Sequence, residues 1–173
     1  MPFGACGMRS SGSGSVVGIN IRAKGAEGER QVIKMLTPII QDVMREMEFP
    51  QEKVDAALKM VQRNQNQSAV GGNDLSNTFG MSIEVKRQEQ LAINTWWTQC
   101  ENAAMRNNEL PVLIFKQNNK PWRFITWGFL HCPGDKGGWT SVRARVEFNE
   151  ETFKTWFRAW VRGQLLNGWE ARI

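Results

Sequence analysis

A short segment in the middle of the chain constrains the fold more than any other feature. Residues 81–87 read Met-Ser-Ile-Glu-Val-Lys-Arg, and Asp74 precedes them across a bend. Because side chains alternate along a strand, Glu84 and Lys86 project from one side while Ile83 and Val85 project from the other. The segment therefore predicts a short strand with one apolar face and one face that carries an acid and a lysine.

Asp74, Glu84 and Lys86 form a chemically informative set. Two carboxylates can hold a divalent cation through hard oxygen ligands. A neighbouring ammonium group can orient a water molecule or stabilise developing charge on a phosphate. This combination predicts the chemistry of a nuclease.

The composition agrees with a polyanionic partner. The 22 Lys and Arg residues outnumber the 17 Asp and Glu residues, which gives a formal charge of +5 and a pI near 9.4. Such a balance favours nucleic acid without proving it. The 173 residues suit one domain, which we place at residues 21–173. Residues 1–20 are rich in Gly and Ser, and we expect a flexible tail there.

Neither export nor membrane insertion is expected. Residues 1–15 lack the basic start and apolar stretch of a secretory signal, and no window approaches the length of a membrane span. Cys6, Cys100 and Cys132 have no paired spacing, so we expect no disulfide framework. A reducing cytoplasm fits best.

Four helices are predicted from the spacing of apolar residues and from capping residues. Pro38 is expected to kink or split the first of them. Asn94 and Asn149 are expected to cap the last two. The predicted helices are Ala26–Met47, one that follows Pro50, Asn94–Asn107, and one from Asn149 that Gly168 ends.

Strands dominate the second half of the chain. A hairpin connection through residues 118–121 is predicted between two of them. In the last, apolar and polar residues alternate, so one face is expected to be solvated. The predicted strands are Pro111–Gln117, Trp122–Trp127 and Trp139–Phe148. The element order indicates an α/β or α+β fold, with a mixed central β-sheet flanked by helices.

Three segments together resemble the PD-(D/E)XK nuclease superfamily. They are Lys24-Gly25-Ala26-Glu27-Gly28-Glu29-Arg30, then Asn73-Asp74, then Ile83-Glu84-Val85-Lys86. Within that superfamily the chain looks most like the archaeal-type and phage Holliday junction resolvases, over residues 22–117. The resemblance implies a restriction-endonuclease-like core. Two departures concern Asn73, which replaces the proline of the motif, and residues 68–72, which replace a Gly-Ser-Gly segment.

The resemblance also implies a set of site residues. Asp74 and Glu84 would bind one or two Mg²⁺ or Mn²⁺ ions, with the Val85 carbonyl as a further ligand. Lys86 would lie beside the attacking water, and Glu29 would bind the metal directly or through water. Resolvases of this kind often carry a glutamine on the following helix, and Gln99 fits that place. Gln88 is an alternative, because it shares the strand face of Glu84 and Lys86.

Basic residues supply candidate DNA contacts. The last predicted helix carries a stripe at four-residue spacing, which the neighbouring Arg143 and Arg145 enlarge; a solvated helix face is the more frequent meaning of such a stripe. The candidate DNA-binding residues are Lys24, Arg30, Arg63, Arg87, Lys154, Arg158 and Arg162.

A twofold homodimer would deliver the two symmetric cuts that a four-way junction requires. Its surface could include Trp127, Trp156, Phe157 or Trp160. The first interpretation is therefore a Mg²⁺-dependent Holliday junction resolvase acting on branched or duplex DNA.

Two alternatives stay open. One is a nicking, restriction-like or repair nuclease with the same site. The other is a nonenzymatic nucleic-acid-binding protein in which Asp74, Glu84 and Lys86 form a surface ion-pair cluster. Other chemistries lack residues: His131 is the only histidine and is expected in a loop or on the surface, the chain has no tyrosine, and no Cys-x-x-Cys occurs.

Overall fold

A four-stranded sheet with helices on both faces forms the body of the protein. The computed structural model describes residues 16–64 and 73–169, with side chains from residue 23 onward. The helices are α1 (Val16–Glu46), α2 (Gln51–Ala56), α3 (Ile93–Asn107) and α4 (Glu150–Leu166), and a 3₁₀ turn at Ala57–Lys59 extends α2. The strands are β1 (Gln62–Arg63), β2 (Leu75–Ser76), β3 (Met81–Arg87), β4 (Leu110–Lys116), β5 (Arg123–Pro133) and β6 (Trp139–Asn149).

The main sheet has the order β3-β4-β5-β6. β3 and β4 are parallel, with α3 as the crossover between them, whereas β5 is antiparallel to both β4 and β6. In the register, Glu84 lies beside Leu113, and Leu113 lies beside Ile125. The predicted class, a mixed sheet flanked by helices, is confirmed.

Each face of the sheet packs against its own hydrophobic core. On one face, Ile83, Val85 and Phe124 pack under α1 and α4, and the Phe124 and Phe153 rings stack with centroids 4.2 Å apart. On the other face, α3 covers a smaller cluster made of Trp96, Trp97, Cys100, Leu113, Phe115 and Ile125. The alternation predicted for residues 81–87 therefore holds, since Ile83 and Val85 enter the larger core. Phe157 is also fully buried there, so it cannot be part of a dimer surface.

The first helix departs from its prediction. α1 runs unbroken through Pro38, so the expected split is wrong. Pro38 is exposed, while Leu36 and Ile40 on either side are fully buried. The packing of both halves of the helix against one core outweighs the local cost of the proline, about 3 kcal/mol in a free helix. α1 also begins at Val16, within the predicted tail; residues 1–15 lie outside the described residues.

The two predicted caps differ in outcome. Asn149 caps α4, because its side-chain oxygen accepts a hydrogen bond from the Thr152 amide at 2.9 Å. α3 instead begins at Ile93, with Ala92 in the capping position. The prediction for Asn94 is therefore wrong, since its side-chain oxygen accepts a bond from Arg145 on β6 at 3.0 Å.

A small ribbon stands apart from the main sheet. β1 pairs antiparallel with β2, with Arg63 opposite Leu75. The Asn64 amide donates to the Asp74 carbonyl at 2.9 Å, so the ribbon holds Arg63 close to the start of β2. The connecting residues 65–72 lie outside the described residues.

The β5–β6 hairpin is longer than expected. β5 continues past Trp127 to Pro133, and its pairing with β6 reaches the Pro133–Trp139 pair. His131, expected in a loop or on the surface, is an exposed residue of this strand. Among the described helices, none combines the length and apolar character needed to cross a membrane.

Candidate active site

Asp74 is fixed against the edge of β3 by two backbone hydrogen bonds. Its amide donates to the Ile83 carbonyl at 3.0 Å, and its side-chain oxygen Oδ2 accepts from the Val85 amide at 2.6 Å. β4 pairs with the other edge of β3, so this edge is the one open to Asp74. The carboxylate is therefore held beside the strand segment that carries Glu84.

Glu84 and Lys86 project from β3 on the face that α3 partly covers. Glu84 is buried and Lys86 is half-buried. The Lys86 ammonium nitrogen lies 2.5 Å from Glu84 Oε1. The pair is thus held in place at a site that is partly shielded from water, where charges interact more strongly than on an open surface.

Glu29 reaches the same region from α1. An added Cβ at Gly28 would make ordinary van der Waals contacts, 3.4 Å from the Arg87 Cβ and 3.6 Å from a Val85 methyl group, so α1 packs directly against β3 here. Glu29, the next residue, is buried and forms an ion pair with Arg63 of β1. The ribbon thereby orients the third acid of the predicted set.

The pKa of Asp74 is raised by its buried position and by the neighbouring acids. Burial raises it to about 7, and the charge of Glu84 adds to the increase, while the Val85 amide and Lys86 oppose it. Burial alone would lower the pKa of Lys86, but Glu84, Asp74 and Glu29 outweigh that effect and raise it. Lys86 is therefore protonated at neutral pH beside carboxylates that repel one another.

Glu29, Asp74 and Lys86 line a cleft of about 610 Å³, whereas Glu84 is not part of its lining. The lining combines acids, cations and amides from α1, β3, the residue before β2, and the loops after β3 and β4. The lining residues are Lys24, Gly25, Glu29, Asp74, Val85, Lys86, Arg87, Gln88, Glu89, Gln90 and Asn118.

The donor set fits a hard divalent cation at two carboxylates. Asp74 and Glu84 repel one another in a buried setting, and a cation between them would relieve that repulsion. Among the described residues, no group of three or more His, Cys, Asp or Glu side chains is arranged to hold a metal ion. Glu29 faces the cleft but is bonded to Arg63, so its part as a ligand stays a prediction.

The two candidate glutamines occupy different places. Gln88 lines the cleft directly after β3. Gln99 is an exposed residue of α3 and is not part of the cleft lining. Gln88 therefore shares the cleft with the other predicted site residues, and the role of either glutamine stays a prediction.

The predicted DNA-binding residues divide into two groups. Lys24 and Arg87 line the cleft, Arg63 is bonded to Glu29, and the nearby Arg30 is paired with Glu27. The α4 stripe is separate, because Arg158 is paired with Glu46 at the last turn of α1. With 1.5 Å of rise per residue, Lys24 and Glu46 are about 33 Å apart along α1.

Asn73 has a positioning role that sequence reasoning missed. It is buried; its side-chain Nδ2 donates to Glu109 at 2.7 Å, and its Oδ1 accepts from the Ser82 hydroxyl at 2.5 Å. These bonds tie the residue before Asp74 to β3 and to the start of β4. The available signal was the position itself, where the superfamily motif has a proline.

Comparison with known proteins identifies the family. The family model described as "Phage putative PDDEXK endonuclease" matches residues 20–127. The match covers more than half of the chain, so the chain belongs to this family of phage endonucleases, and the predicted superfamily is confirmed. No curated protein matches the chain.

Part of the chain is similar to solved structures. One of them is Hjc, a Holliday junction resolvase from the archaeal hyperthermophile Archaeoglobus fulgidus, at 16% identity. The similarity covers 59% of this chain and 87% of that chain, with a TM-score of 0.30. A score this low supports no functional conclusion.

Proposed function

We propose that this protein is a divalent-metal-dependent, structure-selective DNA endonuclease that resolves Holliday junctions. One observation supports the nuclease proposal: Asp74, held at the edge of β3, and Glu84 of β3 are both buried, the Lys86 ammonium group contacts Glu84, and Asp74 and Lys86 line an open cleft. Membership of the family supports hydrolysis of nucleic acid. The order of the three motifs, which resembles that of Holliday junction resolvases, supports a branched DNA as the substrate.

The residues of the site have distinct roles in this proposal. Asp74 and Glu84 hold one or two Mg²⁺ or Mn²⁺ ions, with the Val85 carbonyl as a candidate further ligand. The metal supplies Lewis-acid stabilisation of the phosphate and lowers the pKa of a bound water. Lys86 donates hydrogen bonds towards the attacking water and the phosphate. Gln88 or Gln99 supports that positioning.

Charge explains why cleavage should require a cation. The carboxyl groups of Glu29, Asp74 and Glu84 lie near one another at the site, and Lys86 and Arg63 offset them only in part. An ionised Asp74 beside Glu84 would repel a phosphate. A divalent cation held by these two carboxylates would neutralise them and attract the phosphate, so chelation should abolish cleavage.

The first test uses single substitutions in the site. We expect Asp74→Asn, Glu84→Gln and Lys86→Ala each to lower the cleavage rate about 100-fold or more while DNA binding is retained. Gel assays with Mg²⁺ measure the rate, and fluorescence anisotropy in chelator measures binding. Glu52→Gln, an exposed acid on α2, is the matched control. Cleavage at the normal rate in the three site variants would reject the assignment.

A panel of DNA structures tests the resolvase proposal. A synthetic four-way junction should be cut symmetrically and faster than linear, flapped or single-stranded DNA of the same sequence. Symmetric cutting calls for two active sites, so we propose a homodimer that acts in the host cytoplasm. Preferential cutting of linear or flapped DNA would identify a restriction-like or repair nuclease, and metal-independent binding without cleavage would identify a nonenzymatic DNA-binding protein.

A further inference from the structure

The β5–β6 hairpin extends well beyond the rest of the sheet. Pairing of β4 with β5 ends at the Val112–Thr126 pair, whereas β5 and β6 stay paired from Trp127–Arg145 to Pro133–Trp139. We call residues 127–145 the arm. Its seven residue pairs span roughly 20 Å at the usual strand rise. Residues 134–138 form the turn at its tip, where Gly137 and Gly138 have positive φ.

The two faces of the arm differ in character. Directly paired residues of antiparallel strands point to the same face, so the register assigns every position. The aromatic face consists of Trp127, Phe129, His131, Pro133, Trp139, Ser141, Arg143 and Arg145. The neutral face consists of Gly128, Leu130, Cys132, Thr140, Val142 and Ala144.

The aromatic face exposes large rings beside cations. Phe129 is 67% exposed and Trp139 is 79% exposed. The Arg143 guanidinium lies over the Trp127 ring, 4.0 Å from its centroid, and the Trp127 ring in turn packs edge-on against Trp97 of α3. No acidic residue belongs to this face. Two rings that lie in water at such exposure indicate a partner that offers flat apolar surfaces.

The arginines and the exposed rings of the aromatic face indicate which chemistry its partner should have. Arginine beside exposed aromatic rings suits a polyanion whose bases are free to stack. In a linear duplex the bases already stack on one another, so their flat faces are not accessible. If the aromatic face bound a second copy of itself, Arg143 and Arg145 would meet their own counterparts with like charge. Nucleotides outside a duplex therefore fit this face best.

The position of the aromatic face relates it to the cleft. Glu84, Leu113 and Ile125 are aligned across the sheet, and Trp127 and Phe129 follow Ile125 on the same face. Lys86 of the cleft is aligned with Phe115 and Arg123, and β5 runs antiparallel to β3, so the arm extends away from the cleft end of the sheet. Phe129 is six residues along and two strands across from Lys86, so about 22 Å separates their Cα positions. That distance is about six or seven base-pair steps of duplex. One DNA molecule can therefore contact the cleft and the arm together.

We propose that the aromatic face of the arm binds unstacked nucleotides of a DNA branch or single strand, through Phe129, Trp139 and Arg143. The inference rests on the proposed function, because it names the part of the DNA substrate that the arm, rather than the cleft, would bind. Phe129 and Trp139 stack on bases, while Arg143 contacts a phosphate. The neutral face stays outside the contact.

The two faces provide a matched pair of variants. Phe129→Ala with Trp139→Ala removes rings from the aromatic face, and Leu130→Ala with Val142→Ala removes exposed apolar groups from the neutral face of the same strands. Binding is measured by fluorescence anisotropy in chelator, where no cleavage occurs, to a single strand, a branched DNA and a linear duplex. Circular dichroism and the urea midpoint check folding.

The double variant Phe129→Ala with Trp139→Ala should weaken binding to single-stranded and branched DNA by about fivefold or more per lost stacking contact. Its affinity for linear duplex should change by less than about twofold. The neutral-face variant should bind all three as the wild type does. Arg143→Gln, which keeps the arm intact, should reduce the log-log salt slope for single-stranded DNA by about 0.7.

Equal effects of the two double variants, or no effect of either, would overturn the inference. So would a change in oligomeric state of the aromatic-face variant, seen by sedimentation, at unchanged DNA affinity, because the face would then bind a second copy. A wild type that binds branched DNA through the arm but cuts no DNA with Mg²⁺ would instead overturn the proposed function.

Discussion

At the scale of single residues, the main feature of the candidate site is that Asp74 is both buried and close to another acid. Its carboxylate is held by the Val85 amide and lies near Glu84 in a setting that disfavours ionisation. Such a group costs stability when it is charged, and that cost can be offset when a cation binds. Perturbed acids of this kind cluster at functional sites.

The raised pKa of Asp74 predicts how stability depends on pH. In metal-free protein the native state keeps this proton up to about pH 7, whereas the unfolded state releases it near the model-peptide value of 3.8. The free energy of unfolding should therefore fall as pH rises from about 4 to 7, by about 1.4 kcal/mol per unit of the shift. Asp74→Asn removes the ionisable group and should flatten this dependence.

Urea unfolding at pH 5 and pH 8 in chelator measures the effect. The Asp74→Asn variant should lose less stability than the wild type between the two values, and Glu52→Gln should behave as the wild type does. An equal loss in wild type and Asp74→Asn would show that Asp74 is ionised normally in the native state.

Residue-level prediction worked where the signal was local. Glu84 and Lys86 lie two positions apart on one strand, so strand alternation alone placed them on one face. The contacts of Asn73 with Glu109 and of Arg63 with Glu29 span more than thirty residues each, and no periodicity reports them. Strand and helix periods likewise could not show that Gln88 lines the cleft and that Gln99 does not, because this depends on where α3 packs.

At the scale of elements, Asn73 ties three strands together. It precedes β2 and hydrogen-bonds to Ser82 of β3 and to Glu109 before β4. Asn73→Ala would leave the buried Ser82 hydroxyl without its acceptor, so it should lower the free energy of unfolding by about 1–3 kcal/mol. Because the same bonds position Asp74, the affinity for Mn²⁺ should also fall.

Two measurements separate the positional effect from simple destabilisation. Urea unfolding gives the loss of stability, and Mn²⁺ titration at 10 °C, where the variant stays folded, gives the loss of affinity. Leu36→Ala is the control, because it opens a cavity in the larger core and should cost about 2–5 kcal/mol without a change in Mn²⁺ affinity. If Asn73→Ala binds Mn²⁺ as the wild type does, Asn73 has only a structural role.

Element prediction succeeded for helices and strands with strong patterns and failed where distant packing decides. The apolar stripe of α1 was evident, but its continuity through Pro38 depends on a core that both halves share. The ribbon of β1 and β2 has two residues per strand, too few for an alternating pattern. The extension of β5 to Pro133 depends on its partner β6, since β4 ends beside Thr126.

At the scale of the whole molecule, positive charge lies in separate regions. Lys24 and Arg87 line the cleft, while the α4 stripe lies near the far end of α1, with Lys154 paired to Glu150 and Arg158 paired to Glu46. Cations that already have carboxylate partners release fewer counterions when they meet a phosphate. The cleft should therefore contribute more to DNA binding than the stripe does.

Salt dependence tests this distribution of charge. Lys24→Ala with Arg87→Ala should reduce the log-log slope of duplex binding by about 1.8, or 0.9 per phosphate contact. Lys154→Ala, Arg158→Ala and Arg162→Ala together should reduce it by less. Binding isotherms in chelator between 50 and 200 mM salt give the slopes. A larger reduction from the α4 variant would place the main DNA contact on that helix.

We propose that Asp74 and Glu84 together bind the divalent cation that cleavage requires. The most direct measurement is Mn²⁺ binding to the full chain, followed by electron paramagnetic resonance of the free ion. The wild type should bind one or two ions per chain, and Asp74→Asn and Glu84→Gln should each weaken that binding about tenfold or more, while Glu52→Gln should not. A wild type that binds no Mn²⁺, or site variants that bind it equally well, would contradict the account.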